Sequence, residues 1–283
     1  MAQDTRGTSA GRPARIFDAH THAFPDPLAA TAVARLEEAA VWFPAQASFD
    51  GTAAGLAASM DRAGIDRAVV CSVATRPEQV PKITAWAAGL RSDRFVPFAS
   101  VHPDFPDPEG EVERIAAAGV AGLKFHPQYM ACPADDPRAE RIARAAARAG
   151  LVMAFHAGHD MAYPSDDLAA PRRLRRLHER VPDLRLVACH MGGWQSWEEA
   201  LEHVIGTEMY VETSMTLPWC PPALLERLFE RHDPGRLLFG TDAPWADQAE
   251  SLAAFLALPL APDLKRRILW ENALAFLGEA PAA

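Results

Sequence analysis

Two histidines one residue apart, His20 and His22, are the first residues of the chain whose types and spacing could do chemistry. They follow a short apolar run, and because strand side chains alternate between faces, both rings should lie on one side. Two neutral imidazoles that reach one point can bind a divalent transition metal. The same alternation would point Asp18 in that direction. A His-x-His pair alone is a weak signal, so the metal hypothesis depends on the rest of the chain.

Short apolar runs rich in Val, Leu, Ile and Phe predict the strands that position these residues. Eight such runs occupy residues 15–19, 67–73, 95–101, 120–125, 151–155, 184–189, 209–213 and 237–240. They lack long polar alternation, which is typical of parallel strands buried on both faces. Between and after them lie segments with helical spacing at residues 51–63, 78–90, 108–118, 137–149, 167–180, 194–205, 221–231 and 247–258.

Eight strand–helix units predict an α/β protein with a (β/α)8 TIM barrel. A doubly wound open sheet is the rival, but the His-Thr-His motif stands where its glycine-rich phosphate loop would be. Residues 27–49 should form a helix-bearing insertion over the barrel mouth. Residues 262–277 should form a final helix that packs against the outside of the barrel. No linker divides residues 15–283, so we expect one domain after a disordered tail at residues 1–14.

The composition narrows the classes of partner. A net charge of -9 argues against a nucleic-acid surface or an anionic membrane face, both of which need basic patches. No apolar run is long enough for a membrane span, and the polar start lacks the apolar core of a signal peptide. The four cysteines are far apart in the sequence and form no disulfide framework. These features predict a cytoplasmic protein with a small-molecule partner.

The polar residues that end the strands carry the functional signal, because the active site of such a barrel lies at the carboxyl ends of its strands. Seven of the ten histidines stand at or just after predicted strand ends: His20, His22, His102, His126, His156, His159 and His190. Strand four also ends with Lys124, strand seven with Thr213-Ser214 and strand eight with Thr241-Asp242. The other three histidines, His178, His203 and His232, fall in helical segments and should lie on solvated faces.

Taken together, these motifs resemble the amidohydrolase superfamily, and in particular its amidohydrolase-related (amidohydrolase 2) family of metal-dependent hydrolases and decarboxylases. The resemblance extends over almost the whole chain. It is carried by residues 17–22 (FDAHTH), 122–127 (GLKFHP), 155–158 (FHAG), 186–193 (LVACHMGG), 239–245 (FGTDAPW) and 271–273 (ENA).

The resemblance implies a ligand set and catalytic residues. His20, His22, His156 and Asp242 would hold one divalent metal, usually zinc, although manganese or iron would also suit these ligands. Asp242 would double as the catalytic base. His190 would either support the metal ligands from behind or be a catalytic residue that polarises the substrate or stabilises an oxyanion. The resemblance is also compatible with a homodimer.

Several roles stay open. His156 competes with His159 for the ligand position, and we prefer His156 because it directly follows the apolar run. Lys124 either anchors a substrate carboxylate or phenolate or is carboxylated to bridge a second metal. His126 and Trp245 are the remaining candidates for substrate contact. His126, like His102, either lines the pocket or braces a loop. Other aromatic residues after strands four to eight are candidates of the same kind as Trp245.

The first hypothesis for function is a hydrolase that uses metal-activated water to cleave an amide, lactone or ester bond of a small molecule. The short chain without large insertions favours this reading. The alternative is a metal-dependent non-oxidative decarboxylase of an aromatic or unsaturated carboxylic acid. A barrel that binds a small molecule without turnover is a third reading, disfavoured because a full set of ligands is present.

Overall fold

The structure, a computed structural model, describes residues 15–279. The predicted tail at residues 1–14 therefore lies outside the described residues. All eight strands pair in parallel in one sheet, in chain order from β1 to β8. The strands are β1 Phe17–His22, β2 Arg67–Cys71, β3 Phe95–Ala99, β4 Gly122–Phe125, β5 Val152–Phe155, β6 Leu186–Ala188, β7 Tyr210–Glu212 and β8 Leu237–Leu238.

The first and last strands close the sheet into a barrel. The amide of Ala19 donates to the carbonyl of Phe239 at 2.8 Å, and the amide of Asp242 donates to the carbonyl of His20 at 2.8 Å. A parallel bridge also joins Thr21 to Ala243. The predicted (β/α)8 TIM barrel is confirmed, and closure brings the end of β8 against the His-x-His strand.

Helices cover the outside of the barrel, and one helix lies in the predicted insertion after β1. Two of the described α-helices begin with a side-chain cap followed by proline, at Asp107 and Asp136, and the cap satisfies a free amide of the first turn. No helix among residues 15–279 combines the length and hydrophobicity that a membrane crossing requires. The helices are α1 Asp26–Ala39, α2 Ala53–Ala63, α3 Val80–Leu90, α4 Pro108–Ala117, α5 Pro137–Arg148, α6 Pro171–Arg180, α7 Trp197–His203, α8 Pro222–Arg231, α9 Gln248–Ala257, α10 Pro262–Arg266 and α11 Asn272–Leu277.

The C-terminal helical segment lies elsewhere than the sequence predicts, which was the outside of the barrel. A π-helical turn, Arg267–Glu271, joins α10 to α11. Phe276 packs against Tyr210 of β7 with ring centroids 4.9 Å apart, and Trp270 packs against Phe17 of β1 at 5.9 Å. These aromatic residues belong to the same buried cluster as the inward-facing residues of the strands. The end of the chain therefore plugs the barrel at the amino ends of its strands.

Strand β1 contains an irregularity that determines where its histidines point. Its pairing with β2 shifts register between Asp18 and Thr21. Phe17 and Ala19 belong to the interior cluster, whereas Asp18 accepts hydrogen bonds from Thr241 Oγ1 at 2.6 Å and Gln248 Nε2 at 2.8 Å. The expectation that Asp18 faces the same way as His20 is therefore wrong, because a bulge changes the alternation.

One histidine assigned to a solvated face is buried instead. His232 follows α8, is 3 % exposed, and its Nδ1 accepts a hydrogen bond from the amide of Gly206 at 3.2 Å. Burial lowers the pKa of His232 to about 4, so its ring is neutral at neutral pH. His178 and His203 are partly exposed.

Candidate active site

A cavity of about 420 Å³ opens at the carboxyl ends of the strands, and α1 forms part of its wall. Its size is in the range of pockets that enclose small organic ligands. All of the predicted site residues line it: His20, His22, Lys124, His126, His156, His190, Asp242 and Trp245. The structure therefore brings all of these candidate residues together in one cavity.

Three of the four predicted metal ligands form a compact cluster. The Nε2 atoms of His20 and His22 are 3.2 Å apart, and Oδ1 of Asp242 lies 3.3 Å and 3.1 Å from them. Each residue can offer one ligand atom to a group whose atoms all lie within 4.8 Å of one another. Such spacing allows all three to coordinate one cation.

The chemistry of these three atoms also fits a cation. Nδ1 of His22 lies 3.0 Å from the carbonyl oxygen of Cys71, and Nδ1 of His20 lies 3.0 Å from a carboxylate oxygen of Glu212. Both partners only accept hydrogen bonds, so each Nδ1 carries the hydrogen and each Nε2 presents a lone pair. The buried Oδ1 of Asp242 has no hydrogen-bond donor among the described residues. Three acceptors thus face one another, an arrangement that a metal ion would stabilise.

Burial and neighbouring side chains shift the pKa values of His20 and Asp242. Burial holds the pKa of His20 well below its usual value, with the charge of Lys124 adding to the effect. Burial raises the pKa of Asp242, but the adjacent rings of His20 and His22 outweigh it and leave the carboxyl with a depressed pKa. A neutral imidazole and an ionised carboxylate are the forms that bind metals.

His156, the fourth predicted ligand, lines the cavity but is not part of this cluster. Its Nε2 donates to the carbonyl of His159 at 2.8 Å, so Nδ1 carries the lone pair. That Nδ1 lies 3.1 Å from Nε2 of His190. The ring of His159 instead packs against Trp42, 5.6 Å away. Of the two histidines, His156 lines the cavity and His159 is not among its lining residues, and metal ligation by His156 stays a prediction.

A buried carboxylate that the sequence analysis missed connects the two histidine groups. Glu212, at the end of β7, is fully buried and contacts Nδ1 of His20, while it accepts the backbone amide of His190 at 2.9 Å. It also accepts the hydroxyl of Ser214 at 2.7 Å, and that hydroxyl lies 2.8 Å from Nδ1 of His190. An acidic residue at the end of an apolar strand was the signal that could have identified it.

Close packing around Glu212 requires a glycine on the neighbouring strand. A Cβ atom at Gly240 would overlap Oε2 of Glu212 and would lie 3.2 Å from Cβ of His20. Gly240 therefore leaves room for the carboxylate that orients the first histidine. His190 and Asp242 both adopt positive φ angles, of 60° and 66°, which are rare for residues other than glycine and concentrate at functional sites.

Replacing Glu212 by Gln should weaken metal binding by about 10- to 100-fold, because an outer carboxylate fixes the ring of its histidine and strengthens it as a ligand. Gln keeps the size of the side chain but loses the charge. The test is a competition titration with a chelator of known affinity. Glu226→Gln, which removes an exposed charge on α8, serves as control. Equal metal affinity of the Glu212 variant and the wild type would rule out this role.

Lys124 is fully buried beside the ligand cluster. Its Nζ lies 2.9 Å from Nε2 of His20 and 3.2 Å from the sulfur of Cys189. Burial lowers the pKa of Lys124, but Cys189, Cys71 and the carboxylate of Asp242 raise it by more, so the pKa lies above its usual value. A buried positive charge in a ligand cavity is a natural partner for a substrate anion.

His126 and His102, which the sequence left as similar cases, differ in the structure. The ring of His126 lines the cavity, stacks on His156 with centroids 4.1 Å apart, and lies 3.4 Å from a carboxylate oxygen of Asp160. These three residues form a second group of close ligand atoms. Nδ1 of His102 accepts the amide of Asp104 at 3.1 Å, so this histidine braces a loop.

The aromatic residues after the strands also differ in whether they line the cavity. Trp245 and Tyr129 line the cavity, as does Trp194, which also packs edge-on against Trp42 and Phe43 of the insertion. Trp219 is 45 % exposed, and its ring packs against Phe43 outside the cavity lining. Flat apolar walls of this kind suit a ring-shaped or unsaturated ligand.

Comparison with known structures shows the same fold in several decarboxylases. 5-Carboxyvanillate decarboxylase LigW from Sphingomonas paucimobilis is 18 % identical, with a TM-score of 0.71 over 94 % of this chain and 99 % of that chain. Its counterpart LigW2 from Novosphingobium aromaticivorans, a D314N mutant with bound manganese, is 13 % identical, with a TM-score of 0.70 over 93 % and 97 %. 2,6-Dihydroxybenzoate decarboxylase from Rhizobium is 14 % identical, with a TM-score of 0.68 over 93 % and 98 %.

No curated protein shows significant sequence similarity to the chain. The family model described as Amidohydrolase matches residues 17–278, from the strand that carries His20 and His22 to the end of the last helix. With almost the entire barrel covered by that match, the chain belongs to the amidohydrolase family and is an enzyme.

Proposed function

We propose that the protein is a metal-dependent, non-oxidative decarboxylase of an aromatic or unsaturated carboxylic acid. The observation that carries this proposal is the buried amino group of Lys124, whose Nζ lies 2.9 Å from Nε2 of His20, a predicted metal ligand. Asp242 provides one negative charge near Lys124, and a carboxylate substrate would provide a second. The amide, lactone or ester of the hydrolase hypothesis carries no such charge at its reacting carbonyl.

Similar structures support the same choice. Enzymes that decarboxylate 5-carboxyvanillate and 2,6-dihydroxybenzoate share the fold over nearly the whole chain, and one of them contains manganese. Sequence identities of 13–18 % show the fold only, so the reaction is our inference. Decarboxylation, the alternative at the sequence level, is therefore better supported than hydrolysis.

Each residue has a role in the proposed reaction. His20, His22 and Asp242, with His156 as the fourth predicted ligand, would hold a divalent metal such as zinc, manganese or iron. When bound, this metal would act as a Lewis acid that stabilises negative charge on the substrate. Lys124 would bind a substrate carboxylate or phenolate by a charge-assisted hydrogen bond.

In the proposed reaction the substrate loses its carboxylate as carbon dioxide and gains a proton in its place. Breaking the bond between the ring carbon and its carboxylate releases carbon dioxide and leaves the electron pair on that carbon, which must take up a proton. We assign this transfer to Asp242 and His190: one of them would take a proton from water or from a substrate hydroxyl and then give it to that carbon. The side chains of Trp245 and Tyr129 exclude water and hold a flat substrate against these groups.

The experiment is an assay of purified, metal-loaded protein with a panel of hydroxybenzoates and related unsaturated acids in D2O. The proposal predicts one carbon dioxide for each product and one deuterium on the carbon that lost the carboxylate. A parallel assay offers aryl esters and lactones in water labelled with ¹⁸O. Label in the product acid of that assay, without carbon dioxide release from any acid, would establish hydrolysis instead.

A further inference from the structure

The cavity is lined not only by strand ends but also by α1 and by the segment that leads from β2 into α3. Two cations stand in this second part of the wall, Arg35 on α1 and Lys82 on α3. The wall of the cavity also includes apolar side chains such as Leu36 and Trp86. At about 420 Å³, the cavity is larger than a single-ring acid needs.

Arg35 and Lys82 differ from most basic residues of the protein. Both side chains are exposed, and neither makes a hydrogen bond or an ion pair with any residue between 15 and 279. Elsewhere on the surface, arginines pair with acids, as Arg138 does with Asp104 and Arg172 with Glu199, both at 2.7 Å. In a chain of net charge -9, these two cations add uncommitted positive charge to the wall of one cavity.

Gln79 adds an oriented donor to this region. Its Oε1 accepts hydrogen bonds from the amide of Thr75 at 2.8 Å, from the hydroxyl of Thr75 at 3.1 Å and from the amide of Arg76 at 3.1 Å. Three donors on the oxygen fix the orientation of the side-chain amide, so its NH2 group is the uncommitted end. Gln79 and Lys82 both line the cavity and stand three residues apart where α3 begins.

The acids of the cavity do not neutralise these donors. Of the described residues that line it, the carboxylates are Asp160 and Asp242. Asp160 lies beside His126, and Asp242 lies beside His20 and His22. Both carboxylates are therefore engaged at the histidine end, whereas Arg35, Gln79 and Lys82 offer only donors.

We propose that Arg35, Gln79 and Lys82 form a distal anion site that binds a second anionic group of the substrate. The inference rests on the proposed function and names its substrate class: an elongated acid with an apolar or unsaturated body and an anionic group at each end. One group reaches Lys124 and the ligand cluster, and the other reaches the distal anion site. Charge-assisted hydrogen bonds to two cations and an amide would select this second group.

The test measures binding by calorimetry and needs no turnover, so it stands apart from the test of decarboxylation. Metal-loaded protein is titrated with two pairs of ligands, benzoate with terephthalate and biphenyl-4-carboxylate with biphenyl-4,4′-dicarboxylate. Within at least one pair, the dicarboxylate should bind at least about tenfold more tightly than the monocarboxylate. A ligand with a phosphonate as its distal group shows whether the site prefers a carboxylate or a phosphoryl group.

A double variant, Arg35→Met with Lys82→Met, should reduce the preference for the dicarboxylate to less than about twofold and leave the affinity for the monocarboxylate unchanged. Arg62→Met with Arg148→Met is the matched control, since it removes two exposed cations outside the cavity lining. The control should keep the preference. Equal binding within both pairs by the wild type, or equal loss of preference in the two double variants, would overturn the proposal.

Discussion

Replacing Asp242 by Asn should lower turnover by about a thousandfold or more and reduce the metal content of the purified protein. Asp242 is the carboxylate that lies within 3.3 Å of both His20 and His22. An amide oxygen is a much weaker ligand for a divalent cation, and an amide neither takes up nor delivers a proton near neutral pH. The substitution therefore removes both proposed roles of Asp242, metal binding and proton transfer.

Asn is the right replacement for structural reasons. The backbone of residue 242 has a φ of 66°, and Asn tolerates this left-handed conformation about as well as Asp does. The variant should therefore fold, which circular dichroism of the metal-free protein can check. Asp93→Asn removes an exposed carboxylate and serves as control. Wild-type turnover in the Asp242 variant would remove this residue from the mechanism.

Replacing Lys124 by Met should lower kcat/KM for the acid substrate by roughly 100- to 1000-fold while the metal content stays near that of the wild type. Met has a similar length and tolerates burial, but it has no charge to bind the substrate anion. If Lys124 were instead carboxylated to bridge a second metal, the variant would lose metal together with activity. Kinetics and metal analysis on the same sample therefore separate the two roles.

Arg62→Met controls for the loss of one positive charge, because Arg62 is exposed on α2 and outside the cavity lining. It should keep the wild-type kcat/KM. An unchanged kcat/KM in Lys124→Met would contradict the assignment of this buried ammonium to substrate binding.

The barrel was predictable because parallel strands buried on both faces produce short apolar runs that are easy to recognise. The site was predictable for a related reason: the residues that end such runs meet at one end of the barrel. His20, His22 and Asp242 come together although more than 200 residues separate the first from the last. That contact follows from closure of β8 on β1.

What the sequence did not reveal depends on pairing between distant segments. The bulge after Asp18 arises from the match of β1 to its neighbours, and simple alternation cannot anticipate it. The apolar stripe of the C-terminal helical segment shows that one face is buried but not which surface covers it, so its position at the bottom of the barrel was missed.

Polar residues with distant partners were the other gap. Glu212 was overlooked because its role depends on His20 and on the backbone of His190, which lie at or just after the ends of other strands of the sheet. Likewise, Arg35 and Lys82 look like ordinary helix-surface residues in the sequence. Only the three-dimensional structure shows that both line one cavity.

Metal analysis of the dialysed wild-type protein tests the central claim most directly. If His20, His22 and Asp242 converge on one cation, elemental analysis should find about one divalent metal ion per chain, and anomalous diffraction should place it between these three side chains. Less than about a tenth of an equivalent after growth in metal-supplemented medium, or a metal bound away from these residues, would contradict the account.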